Sequence, residues 1–310
     1  MKKIPCKVFA PATVANVAVG YDVLGFAINE LGDEIIVRKG TKKGLVIKSI
    51  YGKKSLSKDI TKNVAGYTAN KFMEHLGIAD EPIEIDLFKK MPVGTGMGSS
   101  AASSVAGVVA INEYLGNPCE PRELLPFATM GEQLADGSYH ADNVAPSLLG
   151  GFILIRDNPT LDVIRLPFIH GLRAVVIYPH VKILTKDSRD ILSKEVSMDK
   201  YVAQSGNLAA FVAAMYTSDI ELLRRSLTDL IIEPQRAHLI PHFYEMKERA
   251  LKENALGFSI SGAGPSMFAL CQNTMIAEAV VHQAKKLYKD KGIEISCYNS
   301  EINIQGAYRY

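Results

Sequence analysis

The sequence predicts an α+β protein of two domains in which helices pack against β-sheets. The chain has 310 residues, 47% of them apolar, which is enough to bury the cores of about two domains. Its first half shows a strand-like alternation of apolar and polar residues, and its second half has the predicted order β-α-β-β-α-β. Turn-forming residues at 156–160 mark the expected boundary, so that the domains comprise residues 1–160 and 161–310.

The first domain is expected to contain strands followed by helices. Alternating apolar and polar residues predict strands at residues 7–10, 34–39, 45–50 and 83–88. Helices are predicted at residues 61–75, 99–115 and 121–135. A further strand is predicted at 151–156, and the apolar window 144–155 is interpreted as a strand. This window and the apolar helical window 101–111 fall short of the roughly 20 residues that a membrane span needs.

The second domain is expected to be a split βαβ unit of the ferredoxin-like kind. Strands are predicted at residues 172–178, 257–261, 266–270 and 293–297. Helices are predicted between residues 187 and 254 and at residues 274–287. In this order two strands that adjoin in sequence lie between two helical connections, which is the pattern of the split βαβ unit.

Charge and cysteine content exclude several classes of function. A net charge of +2 and a pI of about 8.2, without a dense lysine and arginine cluster, indicate no nucleic-acid partner. The cysteines lie far apart at Cys6, Cys119, Cys271 and Cys297, so that neither a zinc site nor a disulfide framework is indicated. We therefore expect a protein of the reducing cytoplasm that has no membrane partner.

Residues 92–102 form the most informative segment, because a glycine-rich turn leads into a serine pair and a helix of small residues. Gly94, Gly96 and Gly98 allow positive φ angles and a close approach of the backbone to a ligand. Several N–H groups, including those of the first helical turn, can then converge on a phosphate. A plain turn and helix cap is the alternative. If the phosphate cradle is correct, valine at Gly96 or Gly98 is expected to weaken nucleotide binding and to leave the fold intact.

The well-known phosphate loops do not explain this segment. A Walker loop needs a lysine before its serine or threonine, and no lysine occurs between Met91 and Asn112. The dinucleotide fingerprint needs another glycine spacing and a later acidic residue. The pattern P-x-x-x-G-[LM]-G-S-S-A-A instead resembles the central motif of the GHMP kinases, which are ATP-dependent enzymes that phosphorylate small metabolites.

Two further motifs support this resemblance, at residues 10–25 and 261–265, and their order agrees with the family. The resemblance implies an N-terminal domain similar to ribosomal protein S5, a C-terminal ferredoxin-like domain, and ATP as co-substrate. The ATP-binding residues that it implies are Pro92, Val93, Gly94, Thr95, Gly96, Met97, Gly98, Ser99, Ser100, Ala101 and Ala102.

Within the family, the first motif and segments 140–151, 185–192 and 233–241 resemble the members that phosphorylate L-homoserine. The substrate-binding residues implied are Asn16, Asp22, His140, Asp142, Arg189, Arg236 and Gly262. The sequence departs from the usual pattern twice. The usual Ser-Ala-Asn-Leu-Gly is Val-Ala-Asn-Val-Ala at residues 14–18, and the usual Phe-Asp is Tyr21-Asp22. Both departures keep Asn16 and Asp22, and therefore concern only the fine detail of substrate binding.

The residue types suit the three polar groups of homoserine. Asp22 and Asp142 can bind its ammonium group, and Asn16 can orient its hydroxyl group toward the phosphate. Arg189 and Arg236 offer planar pairs of donors for its carboxylate. For His140 two roles are open, the orientation of the substrate or a hydrogen bond to a loop carbonyl.

The remaining expectations concern the metal ion and the proton. Mg²⁺ prefers hard oxygen ligands and is expected at Ser99 and Glu132, although Glu132 could also face solvent. The catalytic residues are expected to be Asn16, Asp142 and Asn143. Related kinases resemble base-using enzymes with a lysine and an aspartate, whereas Thr13 and Asn143 take those places here, so a dedicated base is not expected. Asp142, the next residue in sequence, is the alternative base.

The resemblance as a whole implies an ATP-dependent kinase of L-homoserine in threonine biosynthesis, with ATP, Mg²⁺ and L-homoserine as ligands, and it allows a homodimer. One alternative is a kinase of the same family for another small alcohol, whose pocket would lack one arm of the arginine pair. The other is a non-catalytic binding protein of the same fold, which would have lost the phosphate loop or Glu132.

Overall fold

The computed structural model describes residues 3–52, 56–137, 139–181 and 185–310. The strands are β1 (Cys6–Ala15), β2 (Leu24–Lys39), β3 (Leu45–Tyr51), β4 (Ile83–Phe88), β5 (Phe152–Asp157), β6 (Asp162–Leu166), β7 (Arg173–Pro179), β8 (Gly257–Ile260), β9 (Met267–Cys271), β10 (Ile295–Glu301) and β11 (Tyr308–Arg309). The helices are α1 (Val64–His75), α2 (Ser99–Tyr114), α3 (Leu125–Asp136), α4 (Val144–Leu149), α5 (Thr185–Asp190), α6 (Met198–Thr217), α7 (Ile220–Ser226), α8 (Glu233–Arg236), α9 (Phe243–Lys252) and α10 (Thr274–Asp290). Short 3-10 helices occupy Pro121–Leu124 and Ala237–Leu239.

The first sheet has the strand order β11-β1-β2-β4-β3, and β5 pairs with both β2 and β6. α2 packs against β1 and β2 and is buried over most of its length. Its many alanine, serine and glycine residues allow this close packing, because small side chains let a helix approach a sheet. α1 begins at Asn63, whose side chain accepts hydrogen bonds from the N–H groups of Ala65 and Gly66.

The second sheet has the order β10-β7-β9-β8 and is antiparallel throughout. Helices connect β7 to β8 and β9 to β10, so the predicted split βαβ connectivity is confirmed. Side chains alternate between the two faces of β7. Val176 packs into the core that the first sheet builds, whereas Val175 and Ile177 pack with the buried face of α10. The ring of Phe268 meets that of Phe26, with centroids 6.0 Å apart, so the two sheets share one core.

The segment 144–155 is not a continuous strand, and this prediction was wrong. It forms α4, then Gly150 and Gly151 with φ of 72° and 74°, and then β5. A short apolar run does not distinguish a buried helical turn from a buried strand, because both lack a polar face. In the four described ranges, no helix combines the length and the apolar character needed to cross a membrane.

The boundary expected at 156–160 covers the end of β5 and the turn before β6, and these two strands pair with each other in the first sheet. The second sheet starts only at Arg173. Near the end of the chain, β11 returns to β1, where Arg309 lies opposite Val8 and Tyr308 opposite Phe9. We therefore propose that the domains divide within residues 167–172 and that β11 belongs to the first domain.

Candidate active site

The three sequence motifs meet where the end of β1, the loop before α2 and the turn between β8 and β9 come together. The hydrogen bonds that join them run from Thr13 N to Met97 O (3.1 Å), from Ser261 Oγ to Gly96 O (2.7 Å), from Ser266 N to Thr95 O (3.1 Å) and from Gly262 N to Ala15 O (3.2 Å). These bonds engage three successive carbonyl groups of the glycine-rich loop. The loop is thereby held in place by its carbonyl groups, and its N–H groups are left for a ligand.

The glycine-rich loop has the backbone of an anion site. Gly94, Gly96 and Gly98 have φ of 73°, 78° and 66°, and Gly98 is the N-cap of α2. Within the described residues, the N–H groups of residues 94–98 donate to no backbone carbonyl. Of these residues, Gly94, Thr95, Gly96 and Gly98 border a cavity of about 200 Å³ together with the first turn of α2. Converging N–H groups at a helix N-terminus suit a phosphate group.

Most of the predicted ATP-binding residues border this cavity. The lining consists of Val93, Gly94, Thr95, Gly96, Gly98, Ser99, Ser100, Glu132, Ala135, Asn143, Gly262 and Ala263. Pro92, Met97, Ala101 and Ala102 are outside the lining. The last three are fully buried in the core, so the structure assigns them to the support of the loop rather than to its ligand face.

The expectation that valine at Gly96 or Gly98 leaves the fold intact is not compatible with the packing. A Cβ at Gly98 would lie 2.0 Å from Thr13 Oγ1, and a Cβ at Gly96 would lie 2.3 Å from the carbonyl oxygen of Ser261. At Gly94, which also has a positive φ, no atom lies within 4 Å of such a Cβ. At Gly94, therefore, the positive φ is the only strain that a small side chain would introduce, without a steric clash.

We expect Gly98→Ala to be less stable than Gly94→Ala by about 1 to 3 kcal/mol, the usual cost of overpacking a core. Both variants carry alanine at a positive φ, so the strain of that conformation is common to both and cancels in the comparison. Urea unfolding of the two variants measures the difference. Equal midpoints would contradict the tight contact between Gly98 and Thr13.

A second, smaller cavity of about 60 Å³ adjoins the first. Its lining consists of Asn16, Tyr21, Asp22, Glu132, His140, Asp142, Asn143, Arg189, Arg236, Gly262 and Ala263. It thus brings together every predicted substrate-binding residue, and Glu132, Asn143, Gly262 and Ala263 border both cavities. A larger cavity of about 660 Å³ near Arg173 contains none of the three motifs, so we do not place the site there.

Asp22 and Arg189 bind each other in the second cavity. Arg189 donates through Nη2 to Asp22 Oδ1 (3.2 Å) and through Nη1 to Asp22 Oδ2 (3.3 Å). His140 Nε2 lies 3.7 Å from the same carboxylate. The sequence assigned Asp22 and Arg189 to opposite ends of the substrate, whereas in the structure the two side chains form an ion pair with each other.

Arg236 is buried, with 3% of its surface exposed, and its position is fixed by backbone oxygens. Its Nε donates to the carbonyl oxygen of Ser188 (2.7 Å), and its Nη1 approaches that of Gly262 (3.4 Å). Its Nη2 donates to the hydroxyl oxygen of Tyr21 (3.4 Å). The sequence showed Tyr21 only as a departure from the usual phenylalanine, and it did not reveal that its hydroxyl group binds the arginines of the site.

Asn16 orders the first motif. Its Nδ2 donates to the carbonyl oxygen of Gly262 (2.9 Å), and its Oδ1 accepts from the N–H of Asp22 (3.0 Å). Asn16 and Asp22 both have positive φ, 71° and 57°, a conformation that costs a non-glycine residue energy and that surrounding contacts must maintain. The side chain of Asn16 is therefore a structural brace as well as a candidate ligand of the hydroxyl group.

Thr13 and Asn143, which take the places of the lysine and the aspartate of related kinases, form an uncharged pair. Thr13 Oγ1 donates to Asn143 Oδ1 at 2.7 Å. Beside it, burial and the nearby carboxylates of Asp22 and Glu132 raise the pKa of Asp142 from 3.8 to about 8. The Nδ1 atom of His140 is buried and has no hydrogen-bond partner among the described residues, so the alternative of a bond to a loop carbonyl is not observed there.

A buried ion pair below the glycine-rich loop was not identified from the sequence. Lys89 Nζ binds Asp33 Oδ2, and only 3% and 0% of these side chains are exposed. Lys89 Nζ also donates to the carbonyl oxygen of Ser99 (2.6 Å). Asp33 Oδ1 accepts from the N–H groups of Lys90 (3.1 Å) and Met91 (3.2 Å). The pair thus holds both ends of the loop, one through residues 90–91 and the other through the first residue of α2.

Comparison with known proteins gives the family of the chain. The models of the GHMP kinases N-terminal domain and of the GHMP kinases C-terminal domain match residues 62–151 and 211–290. The chain is 44% identical to a homoserine kinase of Chlorobium phaeobacteroides over 96% of this chain and 97% of that protein.

Solved structures show the same relationship. A crystal structure of homoserine kinase from Cytophaga hutchinsonii is 50% identical, covers 100% of this chain and 98% of its own, and has a TM-score of 0.96. A mevalonate kinase of L. major has a TM-score of 0.72 at 16% identity, over 97% of each chain, which shows the fold alone. The predicted two-domain fold is therefore confirmed. Because sequence identity extends over nearly the whole length and both domain models match, the chain belongs to the homoserine kinases of the GHMP kinase family.

Proposed function

We propose that this protein transfers the γ-phosphoryl group of ATP to the side-chain hydroxyl group of L-homoserine and so forms O-phospho-L-homoserine. The observation that carries this proposal is the junction of two cavities. One cavity is bordered by residues of the glycine-rich loop and the other by the arginine and aspartate residues of the substrate site. Glu132, Asn143, Gly262 and Ala263 form their common wall, where a transferred group would pass.

The site residues fit Mg²⁺. Ser99 Oγ is buried and has no hydrogen-bond partner among the described residues, and Glu132 borders both cavities. These two oxygen donors would hold the ion, since Mg²⁺ usually takes one or two protein oxygens together with phosphate and water. When bound, the ion neutralises charge that develops on the phosphoryl oxygens.

The substrate site offers one group of opposite charge for each end of the amino acid. Asp22 and Arg189 form an internal ion pair, and a bound zwitterion would replace it with two pairs, its carboxylate facing Arg189 and its ammonium group facing Asp22. Arg236 is a second donor to the carboxylate, and Asp142 is a second acceptor for the ammonium group. The zwitterion can thus separate Asp22 from Arg189 and still leave each charge paired, whereas an uncharged alcohol that separated them would leave both charges without a partner.

Positioning and charge neutralisation account for most of the catalysis in this proposal. The side chains of Thr13 and Asn143 are hydrogen-bonded to each other and carry no charge, so neither residue supplies a base. Phosphoryl transfer passes through a loose transition state in most analyses, which needs little assistance from a base. Asn16 keeps one N–H and one lone pair on its side chain beyond its two bonds, and orients the hydroxyl group.

The proposed activity is tested by coupled ADP release with homoserine, mevalonate, shikimate, galactose and threonine in parallel. We expect homoserine to be the preferred acceptor. Faster turnover of an alcohol without an α-amino acid group would contradict the assignment.

Both arms of the arginine pair border the cavity, and the phosphate loop and Glu132 are present, so neither alternative function has an observation in its favour. A homodimer and a cytoplasmic location stay predictions.

We expect Arg236→Ala and Arg189→Ala each to raise the KM for homoserine by about ten- to a hundredfold, because a hydrogen bond to a charged group contributes about 1.5 to 3 kcal/mol. The KM for ATP should change little. Arg225→Ala is a matched control, since Arg225 is exposed on α7 and far from the motifs in sequence. Equal effects on the two substrates would indicate that the arginines support the nucleotide or the fold.

A further inference from the structure

Tyr21 lies between the two arginines of the substrate site and contacts both. Its hydroxyl oxygen accepts from Arg189 Nη1 (3.3 Å) and from Arg236 Nη2 (3.4 Å). The guanidinium carbons of Arg189 and Arg236 lie 6.0 Å and 5.1 Å from the centroid of its ring. The ring and the hydroxyl group therefore hold two like charges close together, which would otherwise repel each other.

The hydroxyl hydrogen of Tyr21 can donate a hydrogen bond to a ligand in the substrate cavity. A phenol has two lone pairs and one O–H, and the two arginines occupy the lone pairs. Among the described residues, no acceptor receives the O–H of Tyr21, although the side chain borders the substrate cavity. Burial raises the pKa of Tyr21 above 10.0, so the proton stays on the oxygen at neutral pH. When the guanidinium groups of Arg189 and Arg236 bind one oxygen of a carboxylate, the O–H of Tyr21 between them is a suitable donor for the other oxygen.

We propose that Tyr21 is a specificity-determining residue, which donates its hydroxyl hydrogen to the α-carboxylate of the substrate and completes a three-donor clamp with Arg189 and Arg236. The proposal rests on the function proposed above and adds a residue that the family resemblance does not imply, since the usual residue at this position is phenylalanine. Its consequence is a stronger preference for acceptors that carry a carboxylate.

The test compares wild-type enzyme and Tyr21→Phe on two acceptors. L-homoserine has the carboxylate, and 3-amino-1-propanol is the same amino alcohol without it. Phenylalanine keeps the ring under both guanidinium groups and removes only the hydroxyl group. We expect Tyr21→Phe to lower kcat/KM for homoserine by about ten- to a hundredfold, as for a hydrogen bond to a charged group, and to leave that for 3-amino-1-propanol unchanged.

Tyr216→Phe is the matched control, because Tyr216 is 61% exposed on α6, and it should change neither value. Circular dichroism of Tyr21→Phe establishes that the variant is folded. An equal loss on both acceptors, or no loss on either, would overturn the role of Tyr21 and leave the proposed function in place. Absence of homoserine turnover in the wild-type enzyme would overturn the proposed function, and the role of Tyr21 with it.

Discussion

Lys89→Met is expected to lower the free energy of unfolding by about 3 to 5 kcal/mol, because removal of one partner leaves the other charge of a buried pair uncompensated. Asp33 would keep its bonds to two backbone N–H groups and to Ser103 Oγ (2.7 Å), but would lose its positive partner. The carbonyl oxygen of Ser99 would lose its hydrogen bond from Lys89. The midpoint of urea unfolding should fall, with an unchanged dependence on urea concentration.

The neighbouring lysine provides a matched control. Lys90 also binds a carboxylate, that of Glu34, but 52% of its side chain is exposed, and Glu34 has Lys7 as a second partner. Lys90→Met should therefore cost about 1 kcal/mol or less, as exposed ion pairs usually do. In the folded fraction of Lys89→Met, the KM for ATP should rise more than that for homoserine, because the lost bond supports the phosphate loop. Similar unfolding midpoints for the two variants would contradict the structural role of the buried pair.

Asp142→Asn is expected to raise the KM for homoserine by about ten- to a hundredfold and to leave appreciable kcat at saturating substrate. Asparagine has nearly the same shape but no charge for the ammonium group. If Asp142 were the general base instead, kcat would fall by about 10²- to 10⁴-fold. Asp290→Asn, at an exposed position at the end of α10, is the control and should change neither constant.

The pH dependence distinguishes these roles further. With a pKa raised to about 8, Asp142 is protonated in the free enzyme at lower pH and must lose its proton to bind an ammonium group. The KM for homoserine should therefore fall as the pH rises toward about 8 in the wild-type enzyme, and this dependence should vanish in Asp142→Asn.

As the pH rises, binding of homoserine should become stronger, but the free energy of unfolding of the protein should fall. Between its ordinary pKa of 3.8 and the raised value of about 8, the folded state binds more protons at Asp142 than the unfolded state does. The contribution of Asp142 to stability is therefore complete below pH 3.8 and is lost as the pH rises through about 8. Asp142→Asn should lack this loss and be the more stable protein near pH 8, as urea unfolding at pH 5 and pH 8 would show. A wild-type stability without this decline would contradict the raised pKa.

Local patterns predicted the elements that carry their own signals. β4 was predicted with its observed bounds, and α2 to within one residue, because alternation and a glycine-rich start mark them. β2 was predicted only from residue 34, since its first part contains Gly25, Asn29 and Gly32, which are poor strand formers. β11 is two residues long and exists only because β1 offers it a free edge.

Prediction of the candidate site from the sequence is likewise limited to local patterns. The residue types that suit homoserine could be read from the motifs, and the structure places them in one cavity. Their mutual bonds could not be read, because the pair of Asp22 and Arg189 and the pair of Asp33 and Lys89 each join residues far apart in sequence. No short-range spacing in the sequence predicts either ion pair. The position of Tyr21 between two arginines depends on the same long-range packing.

The pairing of β11 with β1 has a consequence for the order in which the first sheet forms during synthesis on the ribosome. Synthesis proceeds from β1 toward β11, so the pairing of β1 with residues 308–309 must wait until the residues between them have been made. Until then, one edge of β1 has unpaired N–H and C=O groups, which are a template for pairing with another chain. The part of β1 that faces β11 is therefore protected from such pairing only after residues 308–309 have been made.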